Sequence, residues 1–167
     1  MSDGIRPLRP GEIALLEPAF GSRIPYEAVR LRLGHGGNPA AMAAFRNGNT
    51  AITLRRRIYF RTDYSDDFST APALARSLLH HEMVHVWQYA SHGVVGFLLR
   101  YAHDLAACRF RSSAVYRYKE GKTPFAAARL EAQAQMVGDY CLADIVGDTG
   151  RKLRLAQNLR GSGFFGF

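Results

Sequence analysis

Residues 79–88 read Leu79-His80-His81-Glu82-Met83-Val84-His85-Val86-Trp87-Gln88, and the fold turns on how this stretch is wound. As a helix it sets His81 and His85 at i and i+4, one above the other on a single face. Glu82 is rotated from His81 by about 100°, so it stands beside the pair and outside it. Converging imidazoles suit a divalent zinc ion, which takes four ligands at about 2.0–2.2 Å and in catalytic sites leaves one position to water. A carboxylate at Glu82 is then placed to take a proton from water as a general base. Leu74, Leu78, Leu79, Met83, Val86 and Trp87 make this helix apolar on most sides. It therefore belongs in the core, where unpaired polar side chains are costly and a metal ion removes the cost. His80 is turned off the His81/His85 face and is assigned a supporting or surface position.

Helix-start chemistry precedes the motif: Ser69 or Thr70 can cap, and Pro72 suits a first turn. The helix should run to about Ser91 and stop at His92-Gly93, an imidazole at the negative end followed by a residue free to turn left-handed. A second helix is expected over Gly96 to about Arg111. A third follows from about Ala126 to Val146, after a connection containing Gly121 and Pro124. Upstream, Gly11–Phe20 reads as a short helix with Ile13, Leu16 and Phe20 on one stripe and Pro18 ending or bending it. Tyr26–Leu33 alternates like a half-buried strand, and Gly34–Pro39 reads as a loop. Ala51–Leu54 and Arg57–Arg61 are short enough and close enough to form a hairpin turning near Arg55-Arg56. The expectation is an α+β fold: a short N-terminal helix and a small β-sheet, then a helical part. It would be one domain over residues 1–160, followed by a Gly/Phe tail at 161–167 that is either mobile or docked.

The third ligand must come from elsewhere. Continuation of the motif as H-E-x-x-H-x-x-G-x-x-H fails, because position 88 is Gln88, position 91 is Ser91 and His92 falls one residue late. Glu131 is the leading candidate: it sits in the uncharged helical run around Ala126–Val137, where a carboxylate is rare unless paired. Small neighbours Ala132 and Ala134 would let its helix approach the metal helix. The plainer alternative pairs Glu131 with Arg129 or a surface arginine. His92, His103 and Asp104 are the fallback ligands, and His35 is a loop residue without an evident partner.

Composition sets the outer limits. At 167 residues, 47 % hydrophobic and 22 % charged, the chain is the size of one globular domain and has its composition. The +8 net charge and pI near 9.9 invite anionic partners. The arginines are scattered, however, and no nucleic-acid motif accompanies them, so nucleic acid is disfavoured as a partner. Cys108 and Cys141 read as two buried small hydrophobes. Met1–Pro10 lacks the apolar run of a secretory signal, and no apolar stretch approaches the roughly 20 residues of a membrane span.

Taken together, these residues resemble the gluzincin branch of the zincin peptidases. A closer resemblance is to a small family of bacterial metallopeptidase-like domains that are Vgr-related, the core domain linked to contractile injection systems. Its matching pieces are Arg6-Pro-Leu-Arg-Pro-Gly-Glu-Ile-Ala-Leu, Ala51-Ile-Thr-Leu with Ile58-Tyr-Phe, Leu79 to Gln88, and Leu130-Glu-Ala-Gln-Ala-Gln-Met-Val-Gly-Asp-Tyr. The resemblance implies a zincin-like fold, Zn2+ held by His81, His85 and Glu131, and Glu82 as catalytic base. It also implies a hairpin strand beside the cleft to bind an extended peptide. The expected activity is peptide-bond hydrolysis on a peptide or protein substrate. The competing expectation is a zinc-stabilised binding or assembly module without turnover. Either would be made in the cytoplasm, without a Sec signal, and exported by a contractile apparatus as its partner. Tyr116, Tyr118 and Arg129 are available to stabilise an oxyanion, and the sequence selects none of them.

Overall fold

The computed structural model describes residues 4–167. A four-stranded sheet in the order β1-β2-β4-β3 forms from β1 (Ile5–Pro7), β2 (Arg30–Leu33), β3 (Ala51–Leu54) and β4 (Arg57–Phe60). β1 runs antiparallel to β2, β2 parallel to β4, and β3 antiparallel to β4 with Thr53 opposite Ile58. This leaves β3 as an edge strand. The helices are α1 (Pro10–Phe20), α2 (Pro39–Arg46), α3 (Ala73–Ala107), α4 (Leu130–Val146) and α5 (Thr149–Leu159). The fold is α+β, and none of its helices is long and apolar enough to cross a membrane.

One core joins the layers. Leu16 and Phe20 from α1, Leu31 from β2, Ile58 and Phe60 from β4, Leu79 and Met83 from α3 and Met136 from α4 are all fully buried in it. The hairpin forms as expected, and Arg55 takes a left-handed φ of +62° at its tight turn. α3 breaks where its sequence says it should: Gly93 has φ +68° and ψ 172°, a conformation open to residues without a Cβ. The two helices on either side of it form one bent element. Pro18 does not end α1; it lies in the last turn, which continues to Phe20.

Several expectations need correcting. The strand over Tyr26–Leu33 is half as long, because Tyr26–Ala28 closes a 3-10 turn after Pro25 and only Arg30–Leu33 pairs. The loop after Gly34 gives way to α2, capped by Asn38, whose side chain accepts from the amides of Ala40 and Ala41 and is followed by Pro39 at the first helical position. α4 begins at Leu130 and not at Ala126, since Arg129 is extended and Asp104, reaching over from α3, accepts from the Leu130 amide at 3.0 Å. β1 and α5 add to the expected elements.

The tail is docked. Phe164 is fully buried against Phe20, Trp87 and Phe125 at ring separations of 5.1–5.4 Å. Arg23 lies 4.3 Å above its ring and donates to the carbonyls of Ser162 and Gly163. Residues 161–167 thus complete the core.

Candidate metal centre

α3 and α4 run antiparallel, with Ser77 donating to the Gly138 carbonyl at one end and Gln88 donating to the Leu130 carbonyl at the other. They pack closely at Gly138, where an added Cβ would lie 3.0 Å from the Ser77 carbonyl and 3.5 Å from the His81 Cβ. Glycine permits the separation that brings the first turn of α4 to the histidine face of α3. Ala132 and Ala134, the small neighbours named from the sequence, are buried in the core shared with α3, and Gly138 adds a further point of close packing.

Glu131 is brought to the motif and does not pair with Arg129. Its Oε2 is 3.3 Å from His81 Nε2 and 3.2 Å from His85 Nε2, and the two ring nitrogens are 3.3 Å apart. The three donor atoms make a nearly equilateral triangle among buried side chains. In a tetrahedral site that edge corresponds to an ion about 2.0 Å from each corner. Glu131 Oε2 is moreover buried without a well-directed hydrogen bond, a cost that a cation would remove. Geometry, an orphaned acceptor and the N/N/O donor set all fit zinc.

Glu131 and His85 also shift each other's titration. Burial works against a charge on Glu131, but the charges and hydrogen bonds of His85 and His81 hold its carboxyl well below the usual carboxylate range. Burial likewise opposes charge on His85. Glu131, with Glu82 and Gln88 behind it, outweighs that and pushes the imidazole up to about 9. The pocket is built to hold positive charge between these groups.

Around the triangle the packing is specific. Gln88, fully buried, accepts from His85 Nδ1 at 2.8 Å and donates to the Leu130 carbonyl and to Gln133 Oε1. Gln133 in turn donates to the Phe125 carbonyl. Thr53 on β3 donates to Glu82 Oε2 at 2.7 Å, so the strand edge orients the carboxylate next to the histidines. The cleft above, about 180 Å³, is lined by Thr53, His81, Glu82, His85, Tyr116 and Glu131, with Tyr89, Phe97 and Tyr101 as an aromatic wall. Gln88, Gln133 and Thr53 were not anticipated. Two amides buried in the helices that carry the ligands were the available signal.

Of the three oxyanion candidates, Tyr116 is at the site. Its ring stacks on His81 with centroids 6.1 Å apart, and burial, followed by Glu131, pushes its hydroxyl above the ordinary tyrosine range. Tyr118 instead donates to Asp139 at 2.6 Å, and Arg129 lines a different cavity. His80 is not at the surface: it is buried on the core side, 2.8 Å from the Arg76 carbonyl and 3.3 Å from the Cys141 sulfur, where burial lowers it to about 4. Cys108 and Cys141 are buried and unpaired. His92 packs on Trp87, His103 is exposed, and Asp104 caps α4. None of these fallback ligands joins the triangle.

Comparison with known proteins places the chain. The eCIS core domain family matches residues 7–93, just over half of the sequence and including the whole His81–His85 motif. The type VI secretion system spike protein VgrG2b of Pseudomonas aeruginosa is 33 % identical over 139 residues, covering 82 % of this chain but 13 % of that protein. The chain therefore spans about an eighth of that relative's length. The solved effector domain of Pseudomonas aeruginosa VgrG2b superposes with a TM-score of 0.63 at 27 % identity, over 93 % of this chain and 82 % of that one. The chain belongs to the eCIS core domain family.

Proposed function

We propose that this chain is an effector-type module carried by a contractile injection or secretion apparatus, and that it is a zincin-like, zinc-dependent peptide hydrolase. Its kinship to a Vgr spike protein and to an effector domain supports the first half. The observation that carries the second is the His81/His85/Glu131 triangle with Glu82 next to it and outside it. A purely structural metal site has no use for a base.

His81, His85 and Glu131 would hold the zinc, which when bound would supply a Lewis acid for the carbonyl and for water. Glu82, oriented by Thr53, takes the proton of the attacking water and passes it to the leaving amine. Tyr116 offers a hydroxyl to the developing oxyanion. β3, an edge strand that lines the cleft, presents unpaired backbone groups to which an extended peptide can add.

A second reading, a zinc-stabilised assembly module without turnover, is favoured by the relatives, whose names speak of a spike and an effector and not of proteolysis. Zinc content and cleavage of a peptide library, measured for the wild type and Glu82→Gln, separate the two. The hydrolase reading expects one zinc in both proteins and cleavage by the wild type alone. Zinc in both with cleavage in neither supports the assembly module.

A further inference from the structure

Apart from the metal cleft, a second cavity of about 910 Å³ opens between the outer half of α3 and the segment 117–129. Its lining is unusual in charge. Arg100, Arg117, Lys119 and Arg129 all border it, together with His103 and the ring of Tyr118. Asp104 is the one acidic residue lining it. Its Oδ2 already accepts from the Leu130 amide, and its Oδ1 is 3.6 Å from His103 Nδ1. The ion pairs of Lys and Arg lie elsewhere: Arg6 with Glu12, Arg151 and Arg154 with Glu120, Lys152 with Asp144. Among the described residues, no carboxylate pairs with the four cations of this cavity, although Arg100 and Arg129 are half-buried.

Like charges gathered around one hollow repel each other unless an anion sits among them. Guanidinium groups present forked donors that match the oxygens of a phosphoryl group, and a lysine adds a point charge. A cavity of this size is in the range of small-molecule sites. We infer that the cavity binds a phosphoryl-bearing anion, held by Arg100 and Arg129 on its walls and by Arg117 and Lys119 at its mouth. The site is independent of the proposed hydrolase activity and of the metal.

The test is calorimetric titration of the full chain with glycerol 2-phosphate and with inorganic phosphate at 0.05 M and 0.3 M salt. Four proteins are compared: the wild type, Arg100→Gln/Arg129→Gln, Arg117→Gln/Lys119→Gln, and Arg55→Gln/Arg56→Gln as a control that loses the same charge from the exposed hairpin turn. The expected result is one saturable site with a dissociation constant under about 1 mM, weakened about tenfold or more in each cavity variant and less than twofold in the control. Glycerol 2-phosphate binding more tightly than phosphate would mark an ester ligand, and the reverse would mark the free anion; either upholds the site. Absence of saturable binding by the wild type overturns it. So does equal weakening in the control, or unchanged binding in both cavity variants. Circular dichroism of each variant checks the fold, and the two cavity pairs provide the answer independently of each other.

Discussion

Gln88 Oε1 lies 2.8 Å from His85 Nδ1, while the Gln88 amide nitrogen donates to the Leu130 carbonyl and to Gln133 Oε1. With both amide protons committed, the oxygen can only accept, so His85 must carry a proton on Nδ1 and turn Nε2 toward Glu131 and His81. One buried amide thereby fixes the ring's orientation and ties the two ligand-bearing helices together. Replacing Gln88 by Leu keeps the volume but takes the partner from the His85 Nδ1 proton and from two acceptors. The expected outcome is a loss of roughly 1–3 kcal/mol of stability and a zinc affinity reduced about 10–100-fold. Competition with a chromogenic chelator and denaturant unfolding measure the two. An unchanged zinc affinity would mean that His85 is oriented by packing alone.

Glu131 contributes the one carboxylate corner of the triangle. Glu131→Ala should lower zinc affinity by more than the roughly 100-fold upper end seen for outer partners. Glu120→Ala, which removes a partly exposed pairing with Arg151 and Arg154, should leave it unchanged. Zinc that binds the folded chain alone stabilises it by about 4 kcal/mol when free zinc is a thousand times the Kd. For a chain of this length that is a rise in Tm of about 8 °C or more. Chelation should reverse the rise in the wild type, and Glu131→Ala should not show it. A Tm insensitive to zinc and to chelator would remove the metal centre from consideration.

The His81/His85 face was legible because helical periodicity alone brings i and i+4 together, and Glu131 because a carboxylate in an uncharged run asks for a partner. Long-range geometry was not legible in the same way. The start of α4 was misplaced by four residues because its cap is Asp104, from another helix, and no local signal marks a tertiary cap. α2 was missed although Asn38-Pro39 is cap chemistry, since the preceding glycines made the whole segment read as loop. Tyr26–Ala28 alternates like a strand, yet without a neighbour to pair with it folds into a turn. In the sequence Gln88 is only a mismatch to another motif, because a buried amide reveals its purpose only when its partners, here on α4, are known.

Thr53 donates to Glu82, so in the proposed hydrolase its removal should leave binding intact and slow the reaction. Thr53→Val replaces the hydroxyl by a methyl of similar size and deletes the 2.7 Å bond to Glu82 Oε2. Should peptide cleavage be found, the expected change is a fall in kcat on the order of tenfold, with KM and zinc content nearly constant and activity restored by Thr53→Ser. A proportional rise in KM would instead assign Thr53 to peptide binding along the β3 edge.

Phe164 tests whether the last residues belong to the fold that positions the site. Its ring fills the space between Phe20 of α1, Trp87 of α3 and Phe125 ahead of α4, and it is fully buried. Trp87 lies two residues beyond His85 on the same helix, so a cavity here loosens the support of the ligand face from behind. Phe164→Ala should cost about 3–5 kcal/mol, read by denaturant unfolding. Phe167→Ala, at a half-buried ring against Tyr140, should cost less than half as much. The Phe164 variant should also bind zinc more weakly at temperatures approaching its lowered Tm, since the ligands come together only in the folded chain. Equal, small effects of the two substitutions would show that residues 161–167 rest on the core without supporting it.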